Sequence, residues 1–137
     1  MSFEYHEPTS LAEAVDMGAR FGAAGRFLAG GTDLIIQMHR GTIAPEHVVS
    51  LHRVPGLGAI ESNGDVQVGA LVTHRAIERF PAFQGRLRAL VEAAEVVGGH
   101  QVRNVGTVVG NVVNASPAAD VVPALGELAI LGTVTFL

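Results

Sequence analysis

The sequence predicts an α+β fold, one domain of two lobes: a small parallel α/β lobe over about residues 1–55 and a second lobe over about 56–137. Three observations carry this. Arg26-Phe27-Leu28-Ala29, a double glycine, an apolar run from Leu34 to Met38 and then Val48-Val49-Ser50-Leu51 read as strand, turn, helix and strand. Next, Ala59-Ile60-Glu61 and Val66-Gln67-Val68-Gly69-Ala70 flank Asn63-Gly64, the pattern of a hairpin. Finally, 137 residues support one core but hardly two independent ones.

The elements follow in order. Ser10 with Glu13 has the spacing of a capping box, and Leu11, Ala14, Val15 and Phe21 recur with helical period, so a helix is expected over about 10–22, ended by Gly22 and Gly25. Arg26–Ala29 is a buried strand. Thr32 or Asp33 is expected to cap the second helix, which Gly41 closes. In the second lobe Thr73 is placed to cap a short helix over Arg75–Phe80, and Pro81 ends it. A longer helix over about 83–97 carries Leu87, Leu90, Val91 and Ala94 on one face. Ser116-Pro117 is placed to start a helix over Ala118–Leu125. The tail, Ala129–Leu137, reads as an apolar strand whose unpaired edge predicts self-association.

Composition excludes several functions. The net charge of −4 gives no electrostatic grip on nucleic acid. With no cysteine the chain holds neither a disulfide framework nor an iron–sulfur cluster of its own. The segment MSFEYHEPTS carries two acidic residues and no apolar run, unlike a secretory signal, and no stretch approaches a membrane span of about 20 apolar residues, so a cytoplasmic location is expected. Glycine is the outlier: 17 residues, about 12% against a usual share of about 7%.

The glycines concentrate in two motifs. The first, Phe27-Leu28-Ala29-Gly30-Gly31-Thr32-Asp33-Leu34, runs a strand through two glycines into a helix start. Glycines there let backbone amides approach a ligand, and a helix N-terminus favours a phosphate. No lysine follows, so it is not a P-loop, and a capped structural turn explains the pattern equally well. The second motif runs from Gln101 to Asp120 and interleaves Val and Gly with Thr107, Asn111, Asn114, Ser116 and Asp120. These groups suit a polar ligand such as the ribityl chain and pyrophosphate of a nucleotide; a buried strand and turn, with the Asn side chains holding backbone, is the alternative.

Ala29-Gly30-Gly31-Thr32-Asp33-Leu34, Arg103-Asn104-Val105-Gly106-Thr107-Val108-Val109-Gly110-Asn111 and Asn114-Ala115-Ser116-Pro117-Ala118-Ala119-Asp120 together resemble the FAD-binding medium subunit of the xanthine dehydrogenase and aerobic carbon monoxide dehydrogenase family of molybdenum hydroxylases. The resemblance implies a two-lobed flavin fold of the vanillyl-alcohol oxidase type, with part of a mixed β-sheet in the second lobe and FAD between the lobes. It implies a first FAD wall of Phe27, Leu28, Ala29, Gly30, Gly31, Thr32, Asp33 and Leu34, and a second of Thr107, Gly110, Asn111, Asn114 and Asp120. It further implies a molybdenum-cofactor large subunit and a small subunit with 2Fe-2S clusters as partners, with the flavin passing electrons to NAD, oxygen or quinone. Family members are longer, so an incomplete second lobe and a missing carboxy-terminal domain are expected. Two alternatives stand beside this: a non-catalytic flavin- or nucleotide-binding remnant, and a self-contained flavin reductase of the same fold. No catalytic residue stands out, because the chemistry belongs to the flavin.

Other polar residues are read as ordinary. His6, His39, His47, His52, His74 and His100 show no metal-ligand spacing and are expected on the surface. Arg103 fits either a bidentate phosphate contact or an exposed loop, and Glu92 with Glu95 fits a solvated helix stripe.

Overall fold

In a computed structural model the chain is described at residues 2–63, 65–83, 85, 87–115, 121–122 and 134–136. It divides into two compact units, Met1–Gly56 and Leu57–Leu137.

The first unit contains β1 (Glu4–His6), α1 (Leu11–Phe21), β2 (Gly25–Leu28), α2 (Leu34–His39) and β3 (His47–Ser50). Its three strands are parallel in the order β1-β3-β2, so each crossover carries one helix, as parallel pairing requires. Val48 and Val49 of the central strand are each 1% exposed. α1 starts as the Ser-x-x-Glu spacing predicts, with Ser10 Oγ accepting from the Glu13 amide at 3.2 Å. The Glu13 carboxylate reaches back to the Thr9 amide at 2.8 Å instead of to the cap residue itself. The short β1 was not anticipated; three residues, two of them charged or titratable, give no apolar alternation to read.

The second unit has the expected hairpin, β4 (Ile60–Asn63) antiparallel to β5 (Asp65–Val68). A further strand, β6 (Val134–Phe136), pairs in parallel with β5 and makes the sheet mixed. The tail strand pairs with β5 on one side and stands at the edge of the sheet among the described residues; the rest of that tail lies outside them. α3 (His74–Arg79) is capped by Thr73, whose Oγ1 accepts from the Ala76 amide at 3.1 Å. α4 (Arg88–Glu95) turns Leu90, Val91 and Ala94 into a core shared with Val66, Val68, Val72, Ile77, Phe83, Val108 and Val121, with Leu87 packed against it. Glu92 pairs with Arg88 at 2.8 Å on the exposed face, in keeping with a solvated stripe.

Gly98–Asn114 holds two short helices, α5 (His100–Val105) and α6 (Val108–Asn114), where a buried strand was the structural alternative. Six valines between 102 and 113 favour extended backbone intrinsically. Burial overrides that preference: Val108 is fully buried and Val112 packs on the core, four residues apart on one helical face. The helix expected over Ala118–Leu125 is seen only at residues 121–122; its remainder, with Asp120, lies outside the described residues. Among the described residues no helix is long and apolar enough to cross a membrane.

Candidate functional site

The first glycine motif is a turn from β2 into α2. Phe27 lies in β2 with its ring over Gly18 of α1, where a Cβ would come within 2.5 Å of Phe27 Cζ. It is 49% exposed and Arg26 is exposed too, which corrects the expectation of a buried strand. The Leu28 carbonyl accepts from the Leu51 amide at 3.0 Å, which ends the strand pairing. Ala29 and Gly30 bend the chain, and Gly31 has φ +72°, the left-handed conformation that glycine adopts without strain. The Gly31 carbonyl then accepts from the Ile35 amide at 3.0 Å, so the helical hydrogen bonds begin at this glycine. Leu34 opens α2.

The expected cap is absent. Asp33 stands at the position before α2, yet its carboxylate makes no capping hydrogen bond and is exposed. Thr32, half-buried, makes none either among the described contacts. The conformation of Gly31, with no cap on the helix, is what turns the chain here.

The second motif gains its logic from being helical. Thr107 is the N-cap of α6, 5% exposed, and its Oγ1 accepts from the Gly110 amide at 3.1 Å. Residues 107, 110, 111 and 114 then fall at i, i+3, i+4 and i+7 and share one stripe along α6, beside the row of Val108 and Val112. In the middle of the stripe, Asn111 Oδ1 is buried and has no donor among the described residues. A buried acceptor left without a partner costs about 1–3 kcal/mol, so a donor from a ligand or a water molecule is favoured there.

Arg103 takes neither expected role. It is buried and meets Glu78 of α3, Nε to Oε1 at 2.7 Å, while its Nη1 donates to the Gly98 carbonyl at 2.8 Å. Glu78 Oε2 also meets Arg75, which in turn contacts His100 and Asn104. This cluster ties α3 to α5. The histidines also divide. His74 is 2% exposed, and burial holds its imidazole below the ordinary value of 6.5, with Arg103 pushing the same way and Glu78 opposing. His39, His52 and His100 are exposed as expected, whereas His6 and His47 are partly buried and adjoin each other.

The first unit thus presents a strand-to-helix turn held by a left-handed glycine, and the second a Thr-capped helix bearing small polar groups, both within an α+β fold. The profile described as "FAD binding domain in molybdopterin dehydrogenase" matches residues 1–133, and the chain belongs to that family, whose cofactor is FAD. The carbon monoxide dehydrogenase medium chain of Hydrogenophaga pseudoflava is 37% identical over 119 residues, covering 86% of this chain and 42% of the relative. The putative xanthine dehydrogenase FAD-binding subunit of Escherichia coli K12 is 36% identical over 118 residues, covering 85% and 40%. Among solved structures, carbon monoxide dehydrogenase from Hydrogenophaga pseudoflava lacking the Mo-pyranopterin moiety superposes with a TM-score of 0.81 at 36% identity, over 85% of this chain and 41% of that one. The chain thus spans well under half the length of these relatives.

The residues present fit FAD. Gly31 adds no side chain of its own to a turn already flanked by Leu28 and Ile35, and Asn111 Oδ1, without a donor among the described residues, can accept from a ribityl or ribose hydroxyl.

Proposed function

We propose that this chain is the flavin-binding part of an electron-transfer subunit in a cytoplasmic molybdenum hydroxylase. Its partners are a large subunit with the molybdenum cofactor and a small subunit with 2Fe-2S clusters; electrons arrive from those clusters and leave to NAD, oxygen or quinone. The names of the relatives support this assignment, since they are medium chains and FAD-binding subunits of dehydrogenases. In this reading the Phe27–Leu34 turn, through Phe27, Leu28, Ala29, Gly30, Gly31, Thr32, Asp33 and Leu34, receives the pyrophosphate end of FAD. Asp33, whose carboxyl group makes no capping hydrogen bond, suits a ribose hydroxyl better than a phosphate. Thr107, Gly110, Asn111, Asn114 and Asp120 meet the hydroxyl-rich stretch of the cofactor. The flavin supplies the redox chemistry; the protein supplies binding and orientation.

The observation that carries the proposal is Asn111 Oδ1, buried in the polar stripe and without a hydrogen-bond partner among the described residues. Its test is Asn111→Leu, a substitution of similar volume that removes the orphan. Relief of an unpaired acceptor raises the stability of the ligand-free chain, by up to about 1–3 kcal/mol. The same substitution lowers FAD affinity by about tenfold or more, one lost hydrogen bond's worth. A variant that is stabilised yet binds FAD like the parent shows Asn111 to be structural and removes the second motif from the site.

A further inference from the structure

Two imidazoles and a carboxylate meet on the sheet of the first unit, away in sequence from both glycine motifs. Glu4 and His6 are two apart in β1, so their side chains leave the same face. His47 of β3 pairs directly with Glu4 and shares that face. On its other side His47 pairs with Gly25, whose missing side chain leaves room for Phe21 of α1: a Cβ at Gly25 would meet Phe21 Cβ at 2.8 Å. The Phe21 ring stacks on the His47 ring at 3.9 Å and 13°, and lies 4.7 Å from the His6 ring. Both imidazoles are thereby held in place by packing.

The donor atoms are spaced for a metal. His6 Nε2 lies 3.2 Å from His47 Nδ1, and Glu4 Oε2 lies 3.3 Å from His47 Nδ1 and 3.7 Å from His6 Nε2. A tetrahedral ion with bonds of about 2.0–2.1 Å sets its ligand atoms about 3.3 Å apart. The histidine side chains are 20% and 22% exposed and that of Glu4 is 74%, so a fourth position opens to water. Two imidazoles select a d-block dication over calcium or magnesium, which prefer oxygen.

We infer that Glu4, His6 and His47 form a binding site for a divalent d-block cation of the zinc type, which pins the three-residue strand β1 to β3. The sequence concealed it because His6 and His47 are 41 residues apart and only the parallel register joins them.

The test uses the untagged chain, stripped with chelator, titrated with Zn2+ by calorimetry and with Co2+ by visible absorption. The expected result is one ion per chain, with Co2+ bands of a four-coordinate nitrogen and oxygen site. His47→Ala and Glu4→Gln each weaken Zn2+ binding by more than about tenfold, the loss that disturbing even an outer partner of a ligand brings. His39→Ala, at the exposed end of α2, leaves it unchanged. Glu4→Gln keeps the shape of an exposed side chain and so covers the case in which His47→Ala unfolds. Absence of saturable binding, or binding that Glu4→Gln and a folded His47→Ala leave intact, overturns the site and leaves an imidazole–imidazole hydrogen bond only.

Discussion

Glu78→Gln tests how the second motif is held. The Glu78 side chain is 9% exposed and its two oxygens face Arg103, 11% exposed, and Arg75, 22% exposed. At 2.7 Å and an effective permittivity of about 20, the Arg103 contact alone has a gross attraction of about 6 kcal/mol. Desolvation of the three groups offsets most of that, so the triad adds little over an apolar replacement. Removing only the negative member is a different matter, because it leaves two guanidinium groups confined without a counter-charge. Such losses run to about 3–5 kcal/mol, and the partial exposure of Arg75 places this one near the lower end. A loss of about 3 kcal/mol corresponds to a Tm lower by roughly 10 °C for a domain of this size. Urea titration and thermal melting followed by circular dichroism measure it. If Glu78→Gln falls within about 0.5 kcal/mol of the parent, the size of an ordinary surface change, the triad does not organise α3 and α5.

Acidification should destabilise the fold through His74. Its folded-state affinity for a proton is lowered by burial, so the unfolded chain takes up the proton first as pH drops below 6.5, and stability falls from there downward. Melts across that range should show the loss, and His74→Gln should flatten it; an unchanged slope in His74→Gln assigns the effect elsewhere. At Gly31 a branched side chain is strained by the +72° φ and meets Leu28 Cδ1 and Ile35 Cγ1 at 3.0 and 3.2 Å, whatever binds there. Gly31→Val should therefore cost at least about 1–2 kcal/mol of stability, measured without FAD, while Gly31→Asn, more at home at positive φ, costs less. Equal stability of the two variants would show that the turn is not held in this conformation. Thr32→Ala removes one hydroxyl from the turn and should weaken FAD by about tenfold in a fluorescence titration, with unchanged affinity removing Thr32 from the site.

The parallel unit was legible because its signals were strong and local: the Ser10–Glu13 spacing, a glycine-bounded apolar strand, and Val48-Val49 at the centre of the sheet. The hairpin at Asn63-Gly64 and the Thr73 cap were legible for the same reason. The α5–α6 segment was not, because its valines state a local preference that core packing overrides at Val108 and Val112. That Thr107, Gly110, Asn111 and Asn114 recur with helical period was in plain view once the valines are set aside. Arg103 was misread because its partner, Glu78, lies on a different helix. The pairing of His6 with His47 was illegible on the same ground: register between distant strands is a tertiary property.

Whether this chain holds FAD is decided by equilibrium dialysis of the purified, folded chain against FAD, with the absorption spectrum of the retained flavin. Saturable binding of one FAD per chain is expected, with quenched and shifted flavin bands and weaker retention by Asn111→Leu. A folded chain that retains no flavin above the dialysis concentration contradicts it.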